Sequence, residues 1–364
     1  MRYDGLSRPR LLVILGLAVL LAMGLAVDRG TTATRERASR ERVLRLPAPV
    51  IQLAADGQLL TVTACGPGSY WFYIWNPVRR SARLVTRKWC GEGHQAILAQ
   101  GIAGRRLAWV PYDAGNYTTA HLVTATVRRP RPAVRLTGDR IRNSDSGEGD
   151  SVGAVFGDGS LLVFNTWSAC ESNPEYGDCA EGTPPGYHIY NENVWRVVGH
   201  RKRLVLASPD QATVLAVAKG RILLQRADGS LELRRADGSL LRAFPFRPKA
   251  VRGAVLDASE LVVLDRSPRL TWRMYDPVSG RQKRAFAAQA GATPADVERG
   301  LLVYTVGRVV HVVRLADRRQ RTFTTPRGSE YVLAQIEPPG LFYSYQVGSE
   351  GRVRFVPFTR IRFR

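Results

Sequence analysis

A short turn mark recurs through this chain at a spacing that few folds accommodate. It reads as a glycine, then Leu or Ile within a few residues, then more apolar residues. The copies are DGQLLTV at Asp56, AGRRLAWV at Ala103, DGSLLVF at Asp158, KGRILL at Lys219, ERGLLVY at Glu298 and PPGLFY at Pro338. In a seventh, DASELVVL at Asp257, Ser259 fills the glycine's place. The marks fall at 57, 104, 159, 220, 259, 300 and 340, so the late intervals are close to 40 residues. Apolar runs such as VIQLA, VGAVF, TVLAVA and YVLAQI precede the marks. A third run follows each mark, and often a fourth flanked by arginine. Short β-rich runs broken by Gly, Asp, Pro and Asn read as strands. A period near 40 residues is that of a four-stranded propeller blade.

The physical logic is burial. One four-stranded sheet exposes two apolar faces, and radial stacking covers both while leaving short edges. The expected fold is therefore all-β: a β-propeller of seven four-stranded blades, preceded by an N-terminal hydrophobic helix. The blades are expected at about 47–91, 92–141, 150–206, 207–246, 247–288, 289–325 and 326–364. Six or eight blades remain open, and a pair of β-sandwiches is the competing architecture. Arginines on the fourth strands would guard exposed sheet edges. The DGxLL and DPxxG turns resemble those of the WD40-like and TolB-type exported propellers, although no Trp-Asp dipeptide closes a blade. The resemblance spans the whole body and implies fold and little else.

The N-terminus reads as a targeting segment. Arg2, Arg8 and Arg10 precede an unbroken apolar run from Leu11 to Val27. Its 17 residues would span roughly 25 Å as a helix, slightly less than the hydrocarbon core of a bilayer. Gly24 and Ala26 offer small residues for cleavage after Ala26. Residues 1–27 are thus expected to be a signal peptide or a single membrane anchor. Residues 28–46 are expected to be a basic polar tether, and residues 47–364 the propeller. The body would then lie outside the cytoplasm, anchored to the membrane or secreted.

The four cysteines, Cys65, Cys90, Cys170 and Cys179, agree with export, because an even number in an exported chain suggests two disulfides. The expected pairs are Cys65–Cys90 and Cys170–Cys179, though sequence alone leaves all three pairings open. With no CxxC motif, zinc ribbons and thioredoxin-like chemistry have no support.

Charge points to a candidate surface. The chain carries +22, yet from Asn143 to Trp195 there is no Lys or Arg and there are nine carboxylates. In a propeller the loop between second and third strands and the loop between blades open on one face. The longest segments of blades 1 to 3 fall in such loops, notably NSDSGEGD from Asn143 and ACESNPEYGDCAEGTPPG from Ala169. An acidic, aromatic rim is expected there from Trp71, Tyr112, Asp145, Glu148, Asp150, Trp167, Glu171, Asp178 and Glu181. Loops on a rigid scaffold commonly carry binding function. Cationic peptides, glycans that stack on aromatic rings, or a protein would suit this rim. Asp145, Glu148 and Asp150 are the only candidate Ca²⁺ ligands. They lack the EF-hand spacing, so no metal or cofactor is assigned.

No catalytic constellation emerges. The five histidines form no metal-binding spacing, and no nucleophile elbow, P-loop or dinucleotide fingerprint occurs. His311, inside VVHVV, reads as a satisfied strand residue. No basic helix or zinc finger supports nucleic-acid binding. The expected function is a binding or scaffold module acting through the rim. The alternatives are a hydrolase or lyase with its site in the central channel, and a basic surface protein adhering to anionic wall polymer or lipid.

Overall fold

The structure is a computed structural model. It describes residues 42–66, 68–88, 97–113, 119–131, 133–136, 149–172, 179, 183, 186–209, 211–330 and 332–363. The targeting segment and most of the tether lie outside these residues. Among the described residues no helix is long and apolar enough to cross a membrane.

The body, residues 42–364, contains seven antiparallel sheets, each of four strands along its main path. An N-terminal strand comes first, β1 (Arg42–Leu46). Blade 1 holds β2 (Val50–Asp56), β3 (Leu59–Gly66), β4 (Ser69–Asn76) and β5 (Ser81–Lys88). Blade 2 holds β6 (Ile97–Ala103), β7 (Arg106–Asp113), the short β8 (Thr119–Ala120), β9 (Val123–Thr126) and β10 (Val134–Arg135). Blade 3 holds β11 (Gly149–Asp158), β12 (Leu161–Ser172), β13 (Gly186–Val198) and β14 (Arg201–Leu206). Blade 4 holds β15 (Ala212–Ala218), β16 (Arg221–Arg226), β17 (Leu231–Arg235) and β18 (Leu240–Phe244). Blade 5 holds β19 (Val251–Leu256), β20 (Leu261–Asp265), β21 (Thr271–Tyr275) and β22 (Gln282–Ala287). Blade 6 holds β23 (Thr293–Glu298), β24 (Leu301–Val306), β25 (Val309–Arg314) and β26 (Gln320–Thr324). Blade 7 holds β27 (Ala334–Glu337), β28 (Gly340–Val347) and β29 (Glu350–Pro357). Its fourth strand is β1.

The ring is visible in the packing. Each innermost strand touches the innermost strands of both neighbouring blades, and β27 touches β2 to close the circle. Seven hydrophobic clusters fill the body, one between each pair of adjacent blades. Blades 1 and 2 bury Phe72 against Trp109, with ring centroids 5.2 Å apart. Blades 5 and 6 bury Trp272 against Tyr304 at 5.3 Å. His311 belongs to this packing: it is buried and stacks on Tyr304 with centroids 4.6 Å apart. Every sheet therefore covers its apolar faces with its neighbours, which is what the repeat demands.

Two features differ from the sequence reading. Residues 42–46 do not belong to the tether. They form β1, paired from Arg42↔Phe355 to Leu46↔Gly351 with β29. Blade 7 has only three strands of its own at the C-terminus, so the outermost position is filled from the other end of the chain. Leu46 drives this, being buried with Val353 and Phe355. The second feature is a register shift between first and second strands in blades 1 to 6, as at Val50/Gln52, Ile97/Ala99 and Pro294/Asp296. Such bulges bend a strand and re-aim its side chains. Periodicity of two hides them.

The outer strands carry the basic residues. In β5, β14 and β22 the first four residues are all exposed. Several of these arginines donate to backbone carbonyls of a neighbouring blade. Arg284 Nη1 reaches Leu315 O at 2.9 Å and Ala316 O at 2.5 Å, and Arg83 Nη1 reaches Arg128 O at 3.0 Å.

Candidate functional site

In this meander the second-to-third strand loops and the inter-blade loops share one face, here called upper. The turns from first to second strand lie on the lower face. Blade 3 differs from the others on the upper side. Its β12 and β13 run 12 and 13 residues, against 6 and 5 for the equivalent β16 and β17. At about 3.3 Å per residue, the excess projects roughly 20 Å beyond the strands of blade 4. Cys170 and Cys179 are joined by a disulfide near the tip of this arm. Ser172 Oγ donates to Thr183 O at 2.8 Å across the same loop. A short covalent loop restricts the unfolded states of the tip.

A bulge lies at the arm's base. Between the pairs Thr166↔Asn193 and Ser168↔Tyr190, the single residue Trp167 opposes Asn191 and Glu192. Asn191 takes φ 51°, a left-handed conformation that Asn tolerates better than most residues. Glu192 turns inward and is buried. Its carboxylate accepts from Asn165 Nδ2 at 3.2 Å, from Ala212 N at 2.8 Å and from Thr213 Oγ1 at 3.1 Å, tying the arm to blade 4. Beside the bulge is a cavity of about 230 Å³ lined by Thr166, Trp167, Asn191, Asn193, Trp195 and Lys202, among others. Ile189 and Tyr190 are exposed on the arm.

The remaining rim residues fall out as follows. Trp71, on β4, is half-buried against the blade 7–blade 1 core, and the Arg87 guanidinium lies 5.4 Å from its ring centroid. Tyr112 is at the upper end of β7, its backbone paired with Ala120. Asp150 and Glu171 are placed by backbone pairing with Ser168 and Tyr187. Asp145, Glu148, Asp178 and Glu181 lie outside the described residues, as does Cys90 and with it the expected Cys65 pairing. The topology thus brings Trp71, Tyr112, Asp150 and Glu171 to upper strand ends, while Trp167 sits mid-strand at the bulge. Among the described residues no group of three or more His, Cys, Asp or Glu side chains converges to hold a metal.

The axial channel has two chambers. The upper one, about 440 Å³, is lined by neutral side chains, including Gln52, Gln100, Phe156, Thr293, Leu333 and Gln335. The lower one, about 100 Å³, shares Ala55, Phe156, Ala295 and Gln335 with the upper and is strongly acidic. Asp158, Asp257, Asp296, Glu298 and Glu337 line it together with Lys219. Asp158, Glu298 and Glu337 each end an innermost strand, as does Asp56.

Some of these carboxylates latch blades together. Asp158 Oδ2 accepts from the Lys219 backbone N–H at 2.5 Å, one blade on. Asp56 Oδ2 likewise accepts from the backbone of Gly104 and, at 3.1 Å, of Gly159. Asp296 Oδ2 accepts from Ile336 N at 3.0 Å. Asp257 serves its own turn, accepting from Ser259 N at 2.6 Å and Glu260 N at 2.7 Å, as turn chemistry at that position predicts. The Glu337 carboxyl makes no hydrogen bond among the described residues.

Electrostatics follow from this crowding. Burial, reinforced by the charges of Asp296, Glu298, Asp56 and Asp158, pushes Glu337 up to about 9. Burial pushes Asp296 up to about 7 against the backbone bonds it accepts. Burial also raises Glu298, with Lys219 opposing. For Lys219 burial pulls the ammonium down, and the charges of Asp158, Glu298 and Glu337 outweigh it, so the net direction is upward. Sequence reasoning finds Asp158 and Asp257 at equivalent positions but misses Asp296, Glu298 and Glu337. The signal for the last two is the acidic residue just before the turn mark in ERGLLVY and EPPGLFY.

No family model and no curated protein matches the chain. Among solved structures it is similar to the WD40 β-propeller domain of Doa1, at 12% identity and TM-score 0.52, covering 89% of this chain and 97% of that one. It is also similar to the β-propeller domain of Cps50 (Swd1) from Myceliophteria thermophila, at 10% identity and TM-score 0.53, covering 87% and 100%. At such identities the likeness establishes the fold.

Proposed function

We propose that the protein is an exported binding or scaffold propeller that engages its partner through the upper face of blades 1 to 3. The observation that carries this reading is the blade 3 arm. It projects beyond the ring, is closed by the Cys170–Cys179 disulfide, and exposes Ile189 and Tyr190. The ring needs none of these features for its own closure. Elements that extend from a rigid scaffold are where binding residues concentrate. Export is supported by the Leu11–Val27 run behind a basic terminus and by a disulfide, a bond rare in reducing compartments.

The channel-hydrolase reading draws on the lower acidic chamber. Its volume of about 100 Å³ weighs against it, since pockets for drug-sized ligands run from about 300 Å³ upward.

A photo-crosslinking residue installed at Ile189, on the upper arm, and another at Gln58, in a lower turn, separate the faces. The full chain in its native host should form adducts from Ile189 and not from Gln58. Adducts confined to Gln58, or equal from both, refute the upper-face reading.

A further inference from the structure

We propose that the cleft at the base of the blade 3 arm is a saccharide subsite, and that it takes a pyranose ring bearing a carboxylate, a uronate unit. This rests on the reading of the upper face as the binding surface and names its ligand class.

The cleft brings together an aromatic wall, amides, a hydroxyl and one ammonium. Trp195 is half-buried, and its Nε1 donates to Thr166 Oγ1 at 3.0 Å, which fixes the indole in place. The Lys202 ammonium stands 4.4 Å over the Trp195 ring centroid. Lys202 is exposed and forms no ion pair among the described residues, so its charge is available to a ligand. Asn193 Oδ1 accepts from Ser208 N at 3.2 Å, which orients the amide and leaves Nδ2 as a donor. Asn191 is held by the bulge, its own N–H donating to Pro209 O at 3.1 Å, and its side chain has no partner among the described residues. The carboxylate between the two asparagines, Glu192, is engaged by blade 4.

These groups select against the cationic ligands that the segment's composition suggests. Among the described residues that line the cleft there is no carboxylate, and their uncommitted groups are mostly donors. A pyranose supplies an apolar ring face for an indole and hydroxyls that match amides. A carboxylate on that ring answers the lysine through a charge-assisted hydrogen bond. The volume, about 230 Å³, is below the range for drug-sized ligands and suits a single ring with its neighbours outside. A protein of net charge +22 attracts any polyanion, so the probe must be short and the salt physiological.

The test uses the full chain in about 150 mM salt, where exposed charges are screened beyond about 8 Å. Intrinsic tryptophan fluorescence and calorimetry are followed with digalacturonate, with maltose as the neutral ring, and with triglutamate as the acidic peptide. Digalacturonate should bind at least tenfold more tightly than either control. Lys202→Met, at an exposed position that keeps the methylene stem, should weaken it about tenfold without changing the thermal midpoint. Asn193→Ala should weaken maltose and digalacturonate alike. Triglutamate binding as well as digalacturonate, or an unchanged affinity in Lys202→Met, overturns the proposal. Inert digalacturonate with Ile189 adducts intact overturns the saccharide subsite alone. Loss of both overturns the upper-face reading as well.

Discussion

Replacing Glu337 with Gln should remove a pH dependence of stability that the wild-type ring carries. The folded protein holds a proton on Glu337 up to about pH 9, while the unfolded chain releases it near the ordinary value of 4.5. Between those values the native state binds more protons than the unfolded one. Stability must therefore fall as pH rises, by about 1.4 kcal/mol per unit for one proton. Asp296, raised from 3.8 to about 7, adds a slope of the same sign at lower pH. From pH 7 to 9 Glu337 dominates, and two units give a ceiling of about 3 kcal/mol. Water and salt reaching the lower chamber screen part of this, so we expect about 2 kcal/mol.

The substituted amide cannot titrate and should flatten that limb, making Glu337→Gln the more stable protein at pH 9 and nearly equal at pH 5. Urea unfolding at pH 5, 7 and 9 reads the difference between wild type and variant, which cancels histidine and other titrations common to both. Glu350→Gln, at an exposed carboxylate paired with Arg352 at 3.2 Å, is the control and should follow wild type. Parallel wild-type and Glu337→Gln curves across this range would show that Glu337 is not crowded by the carboxylate ring.

Three further substitutions probe the architecture. Gly157→Ala places a Cβ 2.2 Å from the Ile102 carbonyl oxygen of blade 2, so the two inner strands must separate. We expect a loss of about 3 kcal/mol or failure to fold, read by calorimetry. Leu46→Ala empties a buried site between β1 and blade 1 and should cost about 3 kcal/mol, with limited proteolysis cutting first near residue 46. Cys170→Ser opens a loop of sequence separation 9, worth at most about 2–3 kcal/mol in the chain-entropy model. Hydrogen exchange should speed at the arm's tip and leave the blade cores unchanged.

The ring was legible because its signal is local and repeated. Turn residues before each apolar strand mark the blades, and six of the expected blades hold the sheets that the structure shows. The ends were less legible. Arg42–Leu46 pairs with β29 across almost the whole chain length, and nothing in RVLRL distinguishes a closing strand from the end of a basic polar tether. The arm was legible as an insertion with two cysteines, but the bulge at its base was not. Composition placed nine carboxylates between Asn143 and Trp195, and one of them, Glu192, points into blade 4. Side-chain direction at a bulge does not follow strand alternation, so the inward turn of Glu192 could not be read from the sequence.

Among the described residues, charged side chains join blades at two radii, and this bears on the anionic-adhesion alternative. One set of carboxylates lies at the axis, at the ends of innermost strands, where Asp56 and Asp158 reach the backbone of following blades. Arginines gather at the periphery, where Arg242 donates to Val278 O at 3.2 Å, Arg284 to Leu315 O at 2.9 Å and Arg131 Nε to Val85 O at 2.9 Å. Both sets do the same job at opposite radii: they join blades through backbone groups that a ring of separate sheets leaves unpaired. A guanidinium suits the outer role better than an ammonium, because its planar fork offers several donors at once. Only five of the 53 basic residues are lysine, and the fold gives this bias a structural use. The guanidinium donors spent on these carbonyls are not free to bond an anionic partner directly, although their charge still adds to the net +22.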